Sequence, residues 1–270
     1  MASHLVLLAT LAAFAAGPVM AGETKPGALQ DSATWDDLRG DVVGDAPLPP
    51  GDNLLTLGAP YRANDAATVP ITLTQNQTGR RITGVTVVID ENPAPVAAVF
   101  SFSEAMGPLD FELRVRVDQY SNVRAIVETQ EGLQMTGRFV KASGGCSAPA
   151  SRDPAAALAG LGQMRLRSFD AAGKQSEHRS EAQVMVRHPN YSGLQRDQIT
   201  QLFIPAHFID HLEVWQGSEV LFTMEGGISI SENPVFRFSY NDDGSPTLTV
   251  KATDTDGNSW ENTLLKSAES

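Results

Sequence analysis

Between Thr68 and Val140 apolar and polar residues alternate, and that rhythm restricts the fold more than any other feature of the chain. In the clearest run Phe111, Leu113, Val115 and Val117 alternate with Glu112, Arg114, Arg116 and Asp118. Successive side chains of a strand point to opposite faces. Period two therefore predicts one apolar and one charged face, as in a half-buried antiparallel strand, with Arg116 turned to water. Similar runs occupy Val69–Thr74, Ile82–Ile89, Val96–Phe102, Val123–Glu128 and Leu133–Val140. Six short strands within about 75 residues predict a β-sandwich.

The rest of the chain divides around this block. Ser32 is placed to cap a short helix running to Val43, with Trp35, Leu38 and Val42 on one face. Leu48-Pro49-Pro50-Gly51-Asp52 then breaks the chain. Beyond Ala150 the texture changes. Asp153-Pro154 before Ala155-Ala156-Ala157-Leu158 has the form of a helix cap and first turn, and Ala171 to Glu177 has linker composition. From Glu181 strands return: Phe236, Phe238 and Tyr240 alternate with Arg237 and Ser239, and Leu248, Val250 and Ala252 follow the turn at Asn241-Asp242-Asp243-Gly244. The expected organisation is a first β-domain over 22–150, a linker with a short helical segment over 151–178 and a second β-domain over 179–270.

Residues 1–21 have the form of a cleaved secretory signal. Leu5 to Ala16 is apolar but too short to span a bilayer, and Val19-Met20-Ala21 suits a signal peptidase. The stretch before it, Met1-Ala2-Ser3-His4, has no Lys or Arg. The remainder is expected to be soluble, exported and periplasmic. A formal net charge of −12 argues against nucleic acid and anionic lipid as natural partners. No Ser-His-Asp arrangement, phosphate loop or paired-carboxylate signature is present, so no catalytic residue is expected and no cofactor.

Cys146 is the only cysteine. Structural cysteines of exported proteins come in pairs, so an odd one implies a reactive thiol or a bond to another molecule. It follows Ala142-Ser143-Gly144-Gly145 and precedes Ser147-Ala148-Pro149. Small residues give a thin, pliable backbone. The expectation is a mobile arm, Gly144, Gly145 and Ser147 flanking the thiol, that reaches about 17 Å beyond Lys141 when extended. His207 and His211 stand four apart, but the segment reads as loop into strand. That separates them by about 13 Å, too far to share one ion, and no metal site is expected. His188, before Pro189, is expected to be buried between the halves.

Specific motifs resemble the two subunits of the Sox sulfur-oxidation carrier. Val87-Val88-Ile89-Asp90-Glu91-Asn92-Pro93-Ala94-Pro95, then Ser121-Asn122-Val123-Arg124-Ala125, then Phe139-Val140-Lys141 leading into Gly-Gly-Cys, are similar to SoxY. Arg187-His188-Pro189 with Ser192-Gly193, Ile204-Pro205-Ala206-His207-Phe208-Ile209, and Ser231-Glu232-Asn233-Pro234 are similar to SoxZ. The whole most resembles single-chain fusions linked with quinoprotein (PQQ) dehydrogenases. The resemblance implies an all-β protein of two immunoglobulin-like β-sandwich domains docked together. It implies a non-catalytic carrier whose Cys146 holds a thiosulfate- or sulfide-derived intermediate and presents it to sulfur-oxidation or PQQ-dependent dehydrogenase enzymes and cytochromes. The SoxY arm ends in Gly-Gly-Cys-Gly-Gly at a free terminus, whereas here Ser147-Ala148 follows the cysteine and the chain continues. Two other readings of the residues stay open: an adaptor for the dehydrogenase system with an incidental thiol, and a single-thiol redox sensor. A thiol–disulfide oxidoreductase is disfavoured, since no resolving cysteine exists.

Overall fold

The computed structural model describes residues 26–149, 157–169 and 179–266. The signal segment over 1–21 and the expected cap at Asp153-Pro154 lie outside the described residues. Ser32 caps α1 (Ala33–Val43), its hydroxyl accepting from the Trp35 amide at 3.1 Å. Trp35, Leu38 and Val42 pack on Val88 and Ile126, so the expected helix face is the buried one.

The first half contributes β1 (Leu55–Gly58), β2 (Val69–Gln75), β3 (Ile82–Ile89), β4 (Val96–Phe102), β5 (Asp110–Val115), β6 (Ser121–Thr129) and β7 (Gly132–Val140). The second contributes β8 (Met164–Phe169), β9 (Arg179–Val186), β10 (Ile209–Gln216), β11 (Glu219–Gly226), β12 (Val235–Asn241), β13 (Thr247–Asp254) and β14 (Ser259–Leu265). The all-β expectation holds, and the alternating runs are strands. β8 corrects the linker: Met164–Phe169 pairs with β9 from Met164↔Val186 to Phe169↔Glu181. β1, too short for its alternation to single it out, pairs with β2. Among the described residues no helix is long and apolar enough to cross a membrane.

Two sheets hold these strands, in the orders β1-β2-β5-β12-β9-β8 and β14-β13-β10-β11-β4-β3-β6-β7. Each sheet crosses from one half of the chain to the other. β4 pairs antiparallel with β11, from Phe102↔Phe222 to Ala98↔Gly226, and β5 with β12 at Glu112↔Arg237 and Phe111↔Phe238. The expectation of two docked sandwiches is thus refined. The sandwiches are welded edge to edge, which also removes four strand edges that would otherwise invite foreign pairing.

Between the sheets lies one apolar core drawn from both halves. Phe111 sits at its middle, 5.0 Å from the Phe100 ring and 5.1 Å from that of Phe222, both edge to face. Phe236 and Phe238 complete the cluster at 6.1 and 6.4 Å from Phe111. Such pairs add to the stabilisation from buried area alone.

A charged pair is also buried on the first half. Arg124 grips Asp90 with two bonds of 2.8 Å and lies 4.5 Å from the Trp35 ring. Removing either partner would strand a charge in the interior.

Since the core is shared, Phe111→Ala is expected to cost about 3–5 kcal/mol and to weaken both halves together. In urea, fluorescence and circular dichroism should shift in one coincident transition. Separate transitions would show that the halves fold independently.

Candidate functional site

The alternation that defines β5 stops at Val115, and the next three residues build the site. Arg116, expected on the charged outer face, is only 1% exposed. The backbone turns inward there: the Arg116 amide donates to Ser229 O at 2.7 Å and the Val117 amide to Ala66 O at 2.8 Å. Asn92 clamps the turn. Its amide nitrogen donates to Arg116 O at 2.7 Å and to Ser229 Oγ at 2.9 Å, while its oxygen accepts from the Asp118 amide at 2.8 Å.

The cysteine segment docks onto this turn. Gly144, at φ 78°, donates to Asp118 O at 2.7 Å, and Gly145 donates to Val117 O at 3.0 Å. The Cys146 amide donates to Asp118 Oδ1 at 3.1 Å. From the second half, the Ser192 hydroxyl donates to Cys146 O and Gln195 Nε2 to Ala148 O at 3.0 Å. Gln195 Oε1 accepts from the Ser192 amide at 3.2 Å, which fixes the loop that reaches over. The mobile-arm expectation is therefore corrected: Gly144 and Gly145 are held by the body, and Cys146 is fully buried. Ser147 is exposed, beside a groove of about 610 Å³ lined by Pro149, Leu194, Arg196 and Gln201.

Gly145 explains the seat. A Cβ there would stand 2.1 Å from Ala66 O and 2.7 Å from both Val117 N and Val117 O. Glycine serves here for close approach of two backbones.

Burial pushes the Cys146 thiol up to about 12, with the Asp118 carboxylate adding to the rise and Arg116 opposing it. The docked sulfur is therefore a neutral thiol and a poor nucleophile. Beside it Arg116 donates to Gly145 O at 3.4 Å and to Asn190 O at 3.0 Å. Its Nε has no acceptor among the described residues.

The histidines arrange themselves differently from their spacing. His211 bonds Glu225 at 2.7 Å and Glu213 at 3.1 Å, away from His207. His207 instead meets His188, and Asp254 Oδ2 lies 2.7 Å from Nε2 of the first and 3.3 Å from that of the second. His188 is buried as expected, but among the described residues its ring contacts, His207 and Trp260, lie within the second half. The three ligand atoms are close enough together for an ion. The hydrogen bonds do not fit one. His188 Nδ1 accepts the Asn190 amide at 3.0 Å, which leaves the proton on Nε2, whereas a ligating imidazole donates from its second nitrogen. Asp254 also accepts from the Asp256 and Asn258 amides and from Asn258 Nδ2, so its lone pairs are taken. This cluster pins the loop carrying Asn190 and Ser192.

Of the residues expected to matter, Cys146, Gly144 and Gly145 come together, with Ser147 at their outer edge. Arg116, Asp118, Asn92, Asn190, Ser192 and Gln195 were not legible as partners. Polar residues inside loops around 92 and 190 were the available signal.

Family comparison finds two adjoining matches: the sulfur oxidation protein SoxY over residues 39–146 and the sulphur oxidation protein SoxZ over 167–264. The first ends on Cys146. A search of curated proteins gives no match. Among solved structures, the sulfur carrier protein SoxY from Chlorobium limicola f. thiosulfatophilum is 25% identical, covers 41% of this chain and 97% of its own, and has a TM-score of 0.35. A beta-glycosidase from Bacteroides vulgatus is 9% identical, covers 78% of this chain and 24% of its own, with a TM-score of 0.24.

A folded-state value raised above that of a free thiol means that ionisation favours the undocked arm. The contribution of docking is intact below about pH 9 and is lost as pH rises towards about 12. Near neutral pH the thiolate fraction falls about a thousandfold below that of a free thiol. Iodoacetamide labelling should accordingly be slow at neutral pH and accelerate steeply above pH 9. Ser192→Ala, which removes one latch, should speed labelling roughly three- to tenfold. Labelling of native protein at the rate of free cysteine would contradict the docked state.

Proposed function

The chain belongs to the SoxY–SoxZ family of sulfur-oxidation carriers, both units in one polypeptide, and we propose that it holds a sulfur-containing intermediate on Cys146 in the periplasm. The family comprises carriers and adaptors, not catalysts. One observation supports Cys146 as the attachment point above all others. The SoxY match runs to the single cysteine of the chain and stops there.

The cycle we infer has two states of the arm. Docked, the thiol is neutral, shielded from solvent and inert towards stray oxidants. Released, the segment from Ala142 to Pro149 presents its sulfur to an enzyme. Release breaks the bonds to Val117, Asp118, Ser192 and Gln195, each worth about 1 kcal/mol net, so a partner that binds the free segment can displace it. The partners in this reading are sulfur-oxidation enzymes, or a PQQ-dependent dehydrogenase and its cytochrome.

Burial of the thiol favours a second reading, an adaptor for the dehydrogenase system in which Cys146 only packs. Intact-mass analysis of protein from its native host separates the two. The carrier reading expects discrete mass increments of sulfur or sulfur oxoanions that vanish in Cys146→Ser. An unmodified thiol throughout growth on reduced sulfur compounds would favour the adaptor. Sulfenic acid as the sole adduct would favour a redox sensor.

A further inference from the structure

Arg116 is a guanidinium in the interior without a counter-ion among the described residues. It is 1% exposed, and no carboxylate forms an ion pair with it among the described residues. Among the described residues its two terminal nitrogens bond only backbone oxygens, of Gly145 and Asn190. Its Nε has no acceptor among the described residues. Burying an unpaired charge is costly, and an unmade bond at a buried donor adds to the cost. Burial lowers the affinity of the group for its proton, while Asp65, Glu232 and Cys146 act on it only through the field. The residue bonded to its Nη1 directly precedes the cysteine. The structure therefore carries a positive charge and a spare donor beside a sulfur that is itself neutral when docked.

We propose that Arg116 is the binding site for the anionic end of the group carried on Cys146: a terminal sulfonate or persulfide sulfur accepts from the guanidinium when the loaded arm docks. This deepens the carrier reading and rests on it. It adds that the seat discriminates by charge. A guanidinium is suited to oxoanions through paired, charge-assisted bonds. A neutral thiol leaves the charge unanswered, whereas an anionic adduct supplies the missing partner. Loaded carrier is thereby held more firmly than empty carrier, and the cargo is kept from water until an enzyme draws the arm out. The adduct that leaves a neutral or apolar end on the sulfur gains nothing from the site.

The probe pair is a charged and an uncharged disulfide of similar size, installed on the full chain. The Cys146 thiolate attacks an inner sulfur of tetrathionate; a Cys146 S–S bond forms, the S–S bond to the leaving group breaks, and thiosulfate departs with the electron pair. The product ends in –S–SO3⁻. Methyl methanethiosulfonate gives –S–CH3 in the same way, with methanesulfinate leaving. Hydrogen exchange of the Gly144, Gly145 and Cys146 amides then reports docking. With the charged adduct these amides should exchange about tenfold or more slowly than with the methylthio adduct. The ratio should fall to near one in Arg116→Gln and persist in large part in Arg116→Lys, which keeps the charge. Equal exchange for the two adducts in the unmutated protein overturns the proposal, as does a difference that survives in Arg116→Gln. Because the adducts are installed chemically, a charge effect found here together with an unmodified thiol in native protein would sink the carrier reading and leave the site itself standing.

Discussion

Everything at the site depends on two lines of backbone pairing, β4 against β11 and β5 against β12. They fix the second half of the chain relative to the first to within a hydrogen bond. Only then do Asn190, Ser192 and Gln195, from the far side of the seam, stand over a turn built by Asn92, Arg116 and Asp118. The phenylalanine cluster around Phe111 backs both pairings from within. In a two-subunit arrangement this register would have to be found by collision. In one chain the partner edge is always present, and pairing no longer depends on concentration.

Much of the fold was legible because a strand with one buried face writes its period into the sequence. Ile82–Ile89 and Val96–Phe102 are strands over those same residues, and Ser32 caps the helix it was expected to cap. Four-residue β1 alternates over too few residues to stand out, and Met164–Phe169 mixes arginines into a strand whose burial is incomplete. The instructive miss is Arg116. Period two assigns it to water, but the rule holds only while the strand continues, and β5 has ended by Val115. Seams between halves are equally silent, since an edge strand that pairs with its own chain looks like any other strand.

The cysteine segment shows a second limit. Gly, Ser and Ala report what a backbone is permitted to do, and permission was read as looseness. What holds the segment are groups distant in sequence: Val117, Asp118, Ser192 and Gln195. No local pattern announces them. The chemistry changes accordingly. A solvated thiol is ready to react at modest cost, whereas this one is held as an unreactive acid in a seat floored by a guanidinium. Reactivity then becomes a property of where the arm is, and the protein controls it by position instead of by a neighbouring base.

Gly145 turns this into a matter of fit. Two main chains touch there with no room between them, so the residue acts as a keyhole cut to the width of bare backbone. Any side chain at that point would wedge the seat open and leave the sulfur permanently outdoors. A glycine that looks like a hinge is, in this protein, the clasp.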